Sequence, residues 1–219
     1  SFSIENVSKV GYTFDGWYSD SAFENLANTY IVKGSHGNIE YYAKWNAISY
    51  SITYNLFGGT YEANENPTSY TIEDSINLIN PIQNGKYFVG WYKLAENGEL
   101  ITTINGMTGN ITLYARWLSF DSKGGSTISY ELTFSETGIT KPNDPTKDYY
   151  DFAGWFFDEQ FSNEYTFDSL PKASSTLYAK WNATNYNITY ILNGGTNNSQ
   201  WVVFGRIIYL CACYRRDCW

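Results

Sequence analysis

The stretch Gly-Tyr-Thr-Phe-Asp-Gly-Trp-Tyr at residues 11–18 decides the fold, because it returns twice further along the chain. Its counterparts are Gly-Lys-Tyr-Phe-Val-Gly-Trp-Tyr at 85–92 and Tyr-Tyr-Asp-Phe-Ala-Gly-Trp-Phe at 149–156. The tryptophans of the three segments lie 74 and 64 residues apart. Self-similarity at a nearly fixed period is the signature of a repeat architecture. The sequence therefore predicts tandem repeats of about seventy residues.

A second motif closes each repeat with a second tryptophan. It reads Tyr-Tyr-Ala-Lys-Trp at 41–45, Leu-Tyr-Ala-Arg-Trp at 113–117 and Leu-Tyr-Ala-Lys-Trp at 177–181. The two tryptophans of one repeat are 28, 26 and 26 residues apart. The closing half of the repeat thus keeps almost the same length throughout.

A third motif opens the repeat and ends in a glycine pair. It reads Ile-Thr-Tyr-Asn-Leu-Phe-Gly-Gly at 52–59, Leu-Ser-Phe-Asp-Ser-Lys-Gly-Gly at 118–125 and Ile-Thr-Tyr-Ile-Leu-Asn-Gly-Gly at 188–195. The three motifs divide the chain into five parts. Residues 1–46 are predicted to be the C-terminal part of repeat 1, residues 47–117 repeat 2 and residues 118–182 repeat 3. Residues 183–200 are the start of a truncated repeat 4, and residues 201–219 are a non-repeat tail.

The residue pattern within a repeat predicts a mainly β fold, α+β at most. Apolar and polar residues alternate over 48–56, as in a strand with one buried face. Further extended segments are indicated by the apolar residues Tyr70, Ile72, Ile76 and Leu78 in repeat 2, and by Tyr130, Leu132 and Phe134 in repeat 3. Prolines cannot donate to a ladder, so a break in the sheet is expected at Pro81, Pro142 and Pro145. Each repeat has room for four or so strands and at most one short helix, placed in repeat 1 within residues 20–29.

The three linked motifs resemble the Listeria–Bacteroides repeat, the type known from the B-repeat region of internalin B. The resemblance covers about residues 1–200 and implies small β-grasp-like domains arranged as beads in a secreted or wall-displayed stalk. It brings no catalytic residues, and Lys86 departs from the pattern where Tyr12 and Tyr150 stand. The residues predicted to form the structural repeat motif are Phe14, Gly16, Trp17, Tyr42, Trp45, Tyr54, Gly58, Gly59, Phe88, Gly90, Trp91, Tyr114, Trp117, Phe120, Gly124, Gly125, Phe152, Gly154, Trp155, Tyr178 and Trp181.

Composition restricts the partners. The chain carries 22 acidic against 14 basic residues, a net charge of −8, which argues against nucleic acid or anionic lipid. No run of eighteen apolar residues occurs, so no membrane span is expected in this fragment. We expect an extracellular, cell-surface or cell-wall-attached monomeric array whose partner is a host or neighbouring surface protein or a glycan. No cofactor is predicted.

Comparison between repeats argues against catalysis. A site that is copied with its domain should repeat its polar groups, yet the third residue after the first tryptophan is Asp20, Leu94 and Asp158 in turn. A Ser–His–Asp triad would depend on His36 alone, in a loop-like stretch. Paired acids such as Asp158 and Glu159 could serve acid–base chemistry or hold calcium, but a solvated loop is the better interpretation.

The tail differs from the repeats. All three cysteines, Cys211, Cys213 and Cys218, fall in the last nine residues, one ligand short of a tetrahedral zinc site and with no histidine near. No metal site is predicted. A translated frameshift or cloning junction is favoured over a membrane-proximal tail, so whether residues 201–219 are native stays open.

Two functions remain at this point. The first is a non-enzymatic stalk or spacer of a bacterial surface protein that also contributes to adhesion. The alternative is a glycan- or protein-binding module that uses exposed aromatics between the core motifs, such as Tyr41, Tyr61 or Tyr70.

Overall fold

The computed structural model describes residues 1–129, 131–134, 138–187, 189, 191 and 193–195. Two compact units are present: the first contains Ser1–Ser119 with Leu170–Ser175, and the second contains Phe120–Ser169 with the described residues from Thr176 onward. The cysteines of the tail, Tyr130, and part of the fourth opening motif lie outside the described residues.

Every regular element in the described part of the chain is a β-strand, which confirms the mainly β fold. The strands are β1 (Phe2–Ser3), β2 (Tyr12–Tyr18), β3 (Tyr30–Ile31), β4 (Tyr42–Ala47), β5 (Tyr50–Asn55), β6 (Ser69–Tyr70), β7 (Ser75–Asn77), β8 (Tyr87–Tyr92), β9 (Leu100–Ile101), β10 (Thr103–Asn105), β11 (Ile111–Asp121), β12 (Tyr150–Phe156) and β13 (Ser175–Ala183). The β-grasp-like arrangement implied by the resemblance stays a prediction.

In each repeat, the strand that carries the first tryptophan pairs antiparallel with the strand that carries the second tryptophan, and the register is the same in all three repeats. In the second repeat, Trp91 of β8 lies opposite Ala115 of β11, and Phe88 lies opposite Trp117. The pairs β2–β4 and β12–β13 match residue for residue, with Trp17 opposite Ala43 and Trp155 opposite Ala179 in the equivalent places. A register shift interrupts each ladder near the glycine that precedes the first tryptophan. The small alanine leaves room for the facing indole.

The opening strand of the second repeat packs beside the closing strand. Residues Ile52–Asn55 of β5 run parallel to Ile111–Tyr114 of β11, and β6 pairs with the other edge of β5. Along β5 the apolar positions are buried or half-buried while the serine, threonine and asparagine between them are exposed, as the alternation predicts. A core of Ile52, Tyr70, Trp91, Ile101, Ile104, Leu113, Ala115 and Trp117 forms beneath it.

Two local predictions are wrong. Residues 20–29 form turns and no helix, because the Asp20 carboxylate accepts from the backbone N–H groups of Glu24 and Asn25, which a helix would bond to carbonyls four residues earlier. The described residues near Leu132 form only an isolated bridge, from Phe134 to Ile139, and Phe134 is 53% exposed. No strand therefore continues through that segment in its described part.

Candidate functional site

The glycine pair of the opening motif is held under the second tryptophan. In the second repeat, the Leu56 carbonyl accepts hydrogen bonds from the Gly59 N–H at 3.0 Å and from the indole N–H of Trp117 at 2.9 Å. Phe57 and Gly58 have φ values of 48° and 88°, so the reversal is a tight turn with two left-handed residues. A Cβ on Gly59 would collide with the Trp117 ring. The ring and the turn thus fix each other.

The third repeat builds the same turn from different residues. The Ser122 carbonyl accepts from the Gly125 N–H at 3.0 Å and from the indole N–H of Trp181 at 2.8 Å. Lys123 takes the left-handed position of the turn, with φ 49°. A Cβ on Gly125 would lie 2.5 Å from Cζ2 of Trp181. The opening and closing motifs are therefore one unit, joined across about sixty residues.

A phenylalanine joins the two tryptophans of every repeat. In the second repeat Phe88 contacts Trp91 edge-on at a centroid distance of 5.4 Å and Trp117 at 5.5 Å. Phe14 and Phe152 make the equivalent pairs at 5.3–5.5 Å. Edge-to-face aromatic contacts of this kind contribute about 0.5–1.5 kcal/mol beyond the area they bury.

The two tryptophans are not buried equally in all repeats. Trp91, Trp117 and Trp155 are 1–2% exposed, whereas Trp17, Trp45 and Trp181 are half-buried. The first tryptophan is covered by the ring of the opening strand where that strand is present: Tyr54 contacts Trp91 at 5.2 Å and Phe120 contacts Trp155 at 4.9 Å. The first tryptophans of the second and third repeats are therefore core, and their rings offer no surface for a ligand.

A cation–π pair that the motifs alone do not predict recurs in each repeat. The basic residue of the closing motif lies over the aromatic residue that follows the first tryptophan, at 5.0 Å for Lys44 over Tyr18, 3.4 Å for Arg116 over Tyr92 and 5.0 Å for Lys180 over Phe156. The signal was present in the motifs, since Lys or Arg and Tyr or Phe recur at these two positions. Only the strand register brings them together.

Arg116 is the buried member of this series. Its side chain is enclosed, and Nη1 donates to the Pro171 carbonyl at 2.7 Å within the first unit. Burial lowers the pKa of Arg116 and raises that of Tyr92, because each charged form loses solvation. The guanidinium remains a structural cation stacked on a ring.

The tyrosines proposed from sequence as exposed contact residues are not freely exposed. Tyr70 is 2% exposed and donates to the Gly109 carbonyl at 2.6 Å, so that assignment is wrong. Tyr61 is half-buried and accepts from the Asn66 amide, and Tyr41 is half-buried against Trp17. The alternation that marks a strand does not reveal which face is covered by another segment.

A partly exposed aromatic pair, the exposed Phe57 and the half-buried Tyr114, occurs instead at the opening turn of the second repeat. Phe57 is 47% exposed and stacks on Tyr114 with centroids 6.2 Å apart and an interplanar angle of 27°. A bulky side chain in the left-handed region is strained and uncommon. The equivalent position in the third repeat is Lys123, which lies over Tyr178 and pairs with Asp121 and Glu159. This partly exposed ring pair thus belongs to the second repeat.

The residues considered for catalysis lie apart. His36 is exposed in the loop before β4. The Asp158 carboxylate accepts from the backbone N–H groups of Ser162 and Asn163, and these hydrogen bonds hold its pKa below the usual range. Within the described residues there is no cluster of three or more His, Cys, Asp or Glu side chains able to hold a metal ion. No helix of the described part has the length and apolarity to cross a membrane.

Comparison with protein families finds one family model that matches the chain three times. The family model of the Listeria-Bacteroides repeat domain matches residues 2–44, 50–116 and 118–180. A putative Gly-rich membrane protein of Evansella cellulosilytica is 31% identical over 202 residues, covering 88% of this chain and 23% of that protein. A second putative membrane protein of the same organism is 33% identical over 175 residues, covering 73% of this chain and 25% of that protein.

A third relative, at lower sequence identity, is an internalin. Internalin H of Listeria monocytogenes is 29% identical over 117 residues, covering 52% of this chain and 21% of that protein. The chain therefore spans about a quarter or less of the length of these relatives. No solved structure matches the chain. Three matched segments that cover most of the chain place it in one family: it belongs to the Listeria–Bacteroides repeat family.

Proposed function

We propose that this chain is a non-enzymatic extracellular repeat region of a bacterial cell-surface protein, acting as a stalk or spacer that presents another domain and contributes to adhesion. Membership of the repeat family supports this, as do relatives named as membrane proteins and an internalin. We also propose repeat boundaries at 1–46, 47–117, 118–182 and 183–200, of which the first three lie close to the segments that the family model matches.

The proposal rests on one observation: the residues that recur in every repeat contact one another and hold the fold together. Within a repeat the phenylalanine contacts both tryptophans, and the second tryptophan hydrogen-bonds the opening turn. The cation–π pair joins the two strands that carry the tryptophans. Each of these contacts stabilises the fold, and a spacer needs no more than stable repeats. Phe57 is a variable residue at the surface, since Lys123 stands at its position in the third repeat.

The test separates spacing from recognition. The 219-residue region is displayed on a bacterial surface beneath an epitope-tagged head domain, and antibody access to the head is measured by flow cytometry. Deleting residues 47–182 should reduce access, and an unrelated folded segment of the same length should restore it. Failure of the unrelated segment to restore access would contradict a spacer role.

A second function is favoured by one observation, the exposed Phe57 ring stacked on the half-buried Tyr114. Two stacked rings at the surface suit contact with a sugar face or an apolar side chain. A glycan array and a panel of surface proteins are probed with the chain and with Phe57→Asn, which keeps a residue suited to positive φ. Saturable binding that is lost in the variant supports a binding module; equal signals from both proteins contradict it.

A further inference from the structure

A short loop before the closing strand of the third repeat belongs to the first compact unit. Leu170–Ser175 lies within residues 118–180, the third segment that the family model matches, yet it is part of the first unit. Pro171 in this loop is fully buried. The Ser174 hydroxyl accepts from the Trp117 N–H at 3.0 Å. The loop is therefore held by residues of the second repeat.

Two further hydrogen bonds hold the backbone of this loop. The Pro171 carbonyl accepts from Nη1 of Arg116 at 2.7 Å, and the next carbonyl, that of Lys172, accepts from the Asn97 N–H at 2.9 Å. Arg116 is 3% exposed, so its hydrogen bond is both buried and charge-assisted. Adjacent carbonyls of the loop thus have adjacent donors on the second repeat.

Arg116 is one of two places where the second repeat departs from its neighbours. The other closing motifs have Lys44 and Lys180 at this position, each 5.0 Å from the ring centroid of an aromatic residue in its own repeat. The guanidinium of Arg116 lies closer, 3.4 Å from the centroid of Tyr92. A planar guanidinium can stack on a ring and donate hydrogen bonds at its edge at the same time, which an ammonium group does not do.

Asn97 is the second departure. It stands six residues after the first tryptophan, where the other repeats have Phe23 and Phe161, and the three φ values are 51°, 57° and 57°. The N–H of each phenylalanine donates to the carbonyl three residues earlier, and its ring contacts the aromatic residue that follows the first tryptophan, with centroids 5.6 Å apart. In the second repeat the same N–H donates to the loop instead.

We propose that Asn97 and Arg116 together form a docking surface on the second repeat for the loop at 170–175 of the repeat that follows. The partner is recognised by two successive backbone carbonyls, the first from a buried proline. Both departures occur in one repeat and meet one loop, whereas phenylalanine and lysine at these positions turn to rings of their own repeat. Docking makes the third repeat depend on the second, so these repeats are not independent beads. For a spacer, such a junction resists opening.

The test is limited digestion of the full chain with trypsin, with cleavage after the exposed Lys172 followed by mass spectrometry. A docked loop must open before it is cut, so the wild-type rate should be low. The double variant Asn97→Phe with Arg116→Lys, which restores the residue types of the other repeats, should be cut about tenfold faster or more. Lys44→Arg is the matched control and should be cut at the wild-type rate. Cleavage after Lys33, in the first repeat, should be equal in all three proteins.

Hydrogen exchange supplies a second measurement, on Arg116→Lys alone. The Asn97 amide should exchange faster in this variant although its own residue is unchanged, because both contacts hold the same loop. The amides of β5 should keep their wild-type protection, which shows that the second repeat stays folded. If they do not, Asn97→Phe alone provides the cleavage measurement, since it changes an exposed position and leaves Arg116 in place.

Two results would overturn the proposal. One is cleavage after Lys172 that stays at the wild-type rate in the double variant and in Asn97→Phe. The other is an Asn97 amide whose exchange Arg116→Lys does not alter, because the two donors would then act separately. Neither result bears on the spacer role, which the display assay tests by itself.

Discussion

Replacing Trp91 by alanine removes one of the most enclosed rings of the second repeat. Trp91 is 2% exposed, contacts Tyr54 at 5.2 Å and Phe88 at 5.4 Å, and donates its indole N–H to the Ile79 carbonyl at 3.1 Å. Truncating a ring buried this completely costs about 3–5 kcal/mol. A domain of about seventy residues has a free energy of unfolding of roughly 4–10 kcal/mol. Trp91→Ala should therefore remove between about a third and all of the stability of its repeat.

The matched control is Trp17→Ala, which changes the same motif position in the first repeat. Trp17 is half-buried, and its indole N–H also donates to a backbone carbonyl, that of Glu5, at 3.1 Å. With less area removed from water, its loss should be about 1–2 kcal/mol. Urea unfolding followed by far-UV circular dichroism gives both values from the shift in midpoint. Equal losses in the two variants, or a loss below about 1 kcal/mol for Trp91→Ala, would refute the reasoning.

Three further changes test separate contacts. Gly125→Val should destabilise the third repeat by about 1–3 kcal/mol in thermal melts, since its Cβ would lie 2.5 Å from Trp181; an unchanged melt would contradict this. Phe57→Asn should stabilise the second repeat by about 0.5–1 kcal/mol by relieving a φ of 48°, and a lower midpoint would count against that strain. The pKa of Asp158 is lowered in the folded state, mainly by the hydrogen bond from the Ser162 N–H. The stabilisation that its carboxylate contributes is complete above about pH 4, the pKa of an aspartate in the unfolded chain. It is lost as pH falls through the lowered pKa, because the unfolded chain binds the proton first. Asp158→Asn should flatten the acid side of a plot of melting temperature against pH, and an identical acid side would refute it.

The sequence predicts most of what is local in this fold. The alternation over 48–56 predicts the strand β5 and its buried face, and the recurring motifs predict strands at β8 and β11. The glycine pair predicts a tight reversal at Gly58 and Gly59. These features depend on residues close together in the chain, so their patterns suffice.

Features that depend on distant partners could not be predicted. The sequence pattern places Tyr70 on a strand but does not show whether its hydroxyl is exposed. In the structure the hydroxyl donates to the Gly109 carbonyl, 39 residues away in the chain. Arg116 and Tyr92 meet because an antiparallel register aligns them, and the motifs do not state that register. The helix placed within residues 20–29 is absent for a local reason: the Asp20 carboxylate accepts from the Glu24 and Asn25 N–H groups, which a helix would bond to backbone carbonyls.

The most direct test of the central claim is hydrogen exchange, read out by mass spectrometry on the wild-type chain in dilute solution. The claim is that the first tryptophan of a repeat is fully buried only where an opening strand covers it. The amides of β8, β11, β12 and β13 should then exchange slowly, and those of β2 and β4 should exchange much faster. Protection of β2 and β4 equal to that of β8 and β11 would contradict the claim.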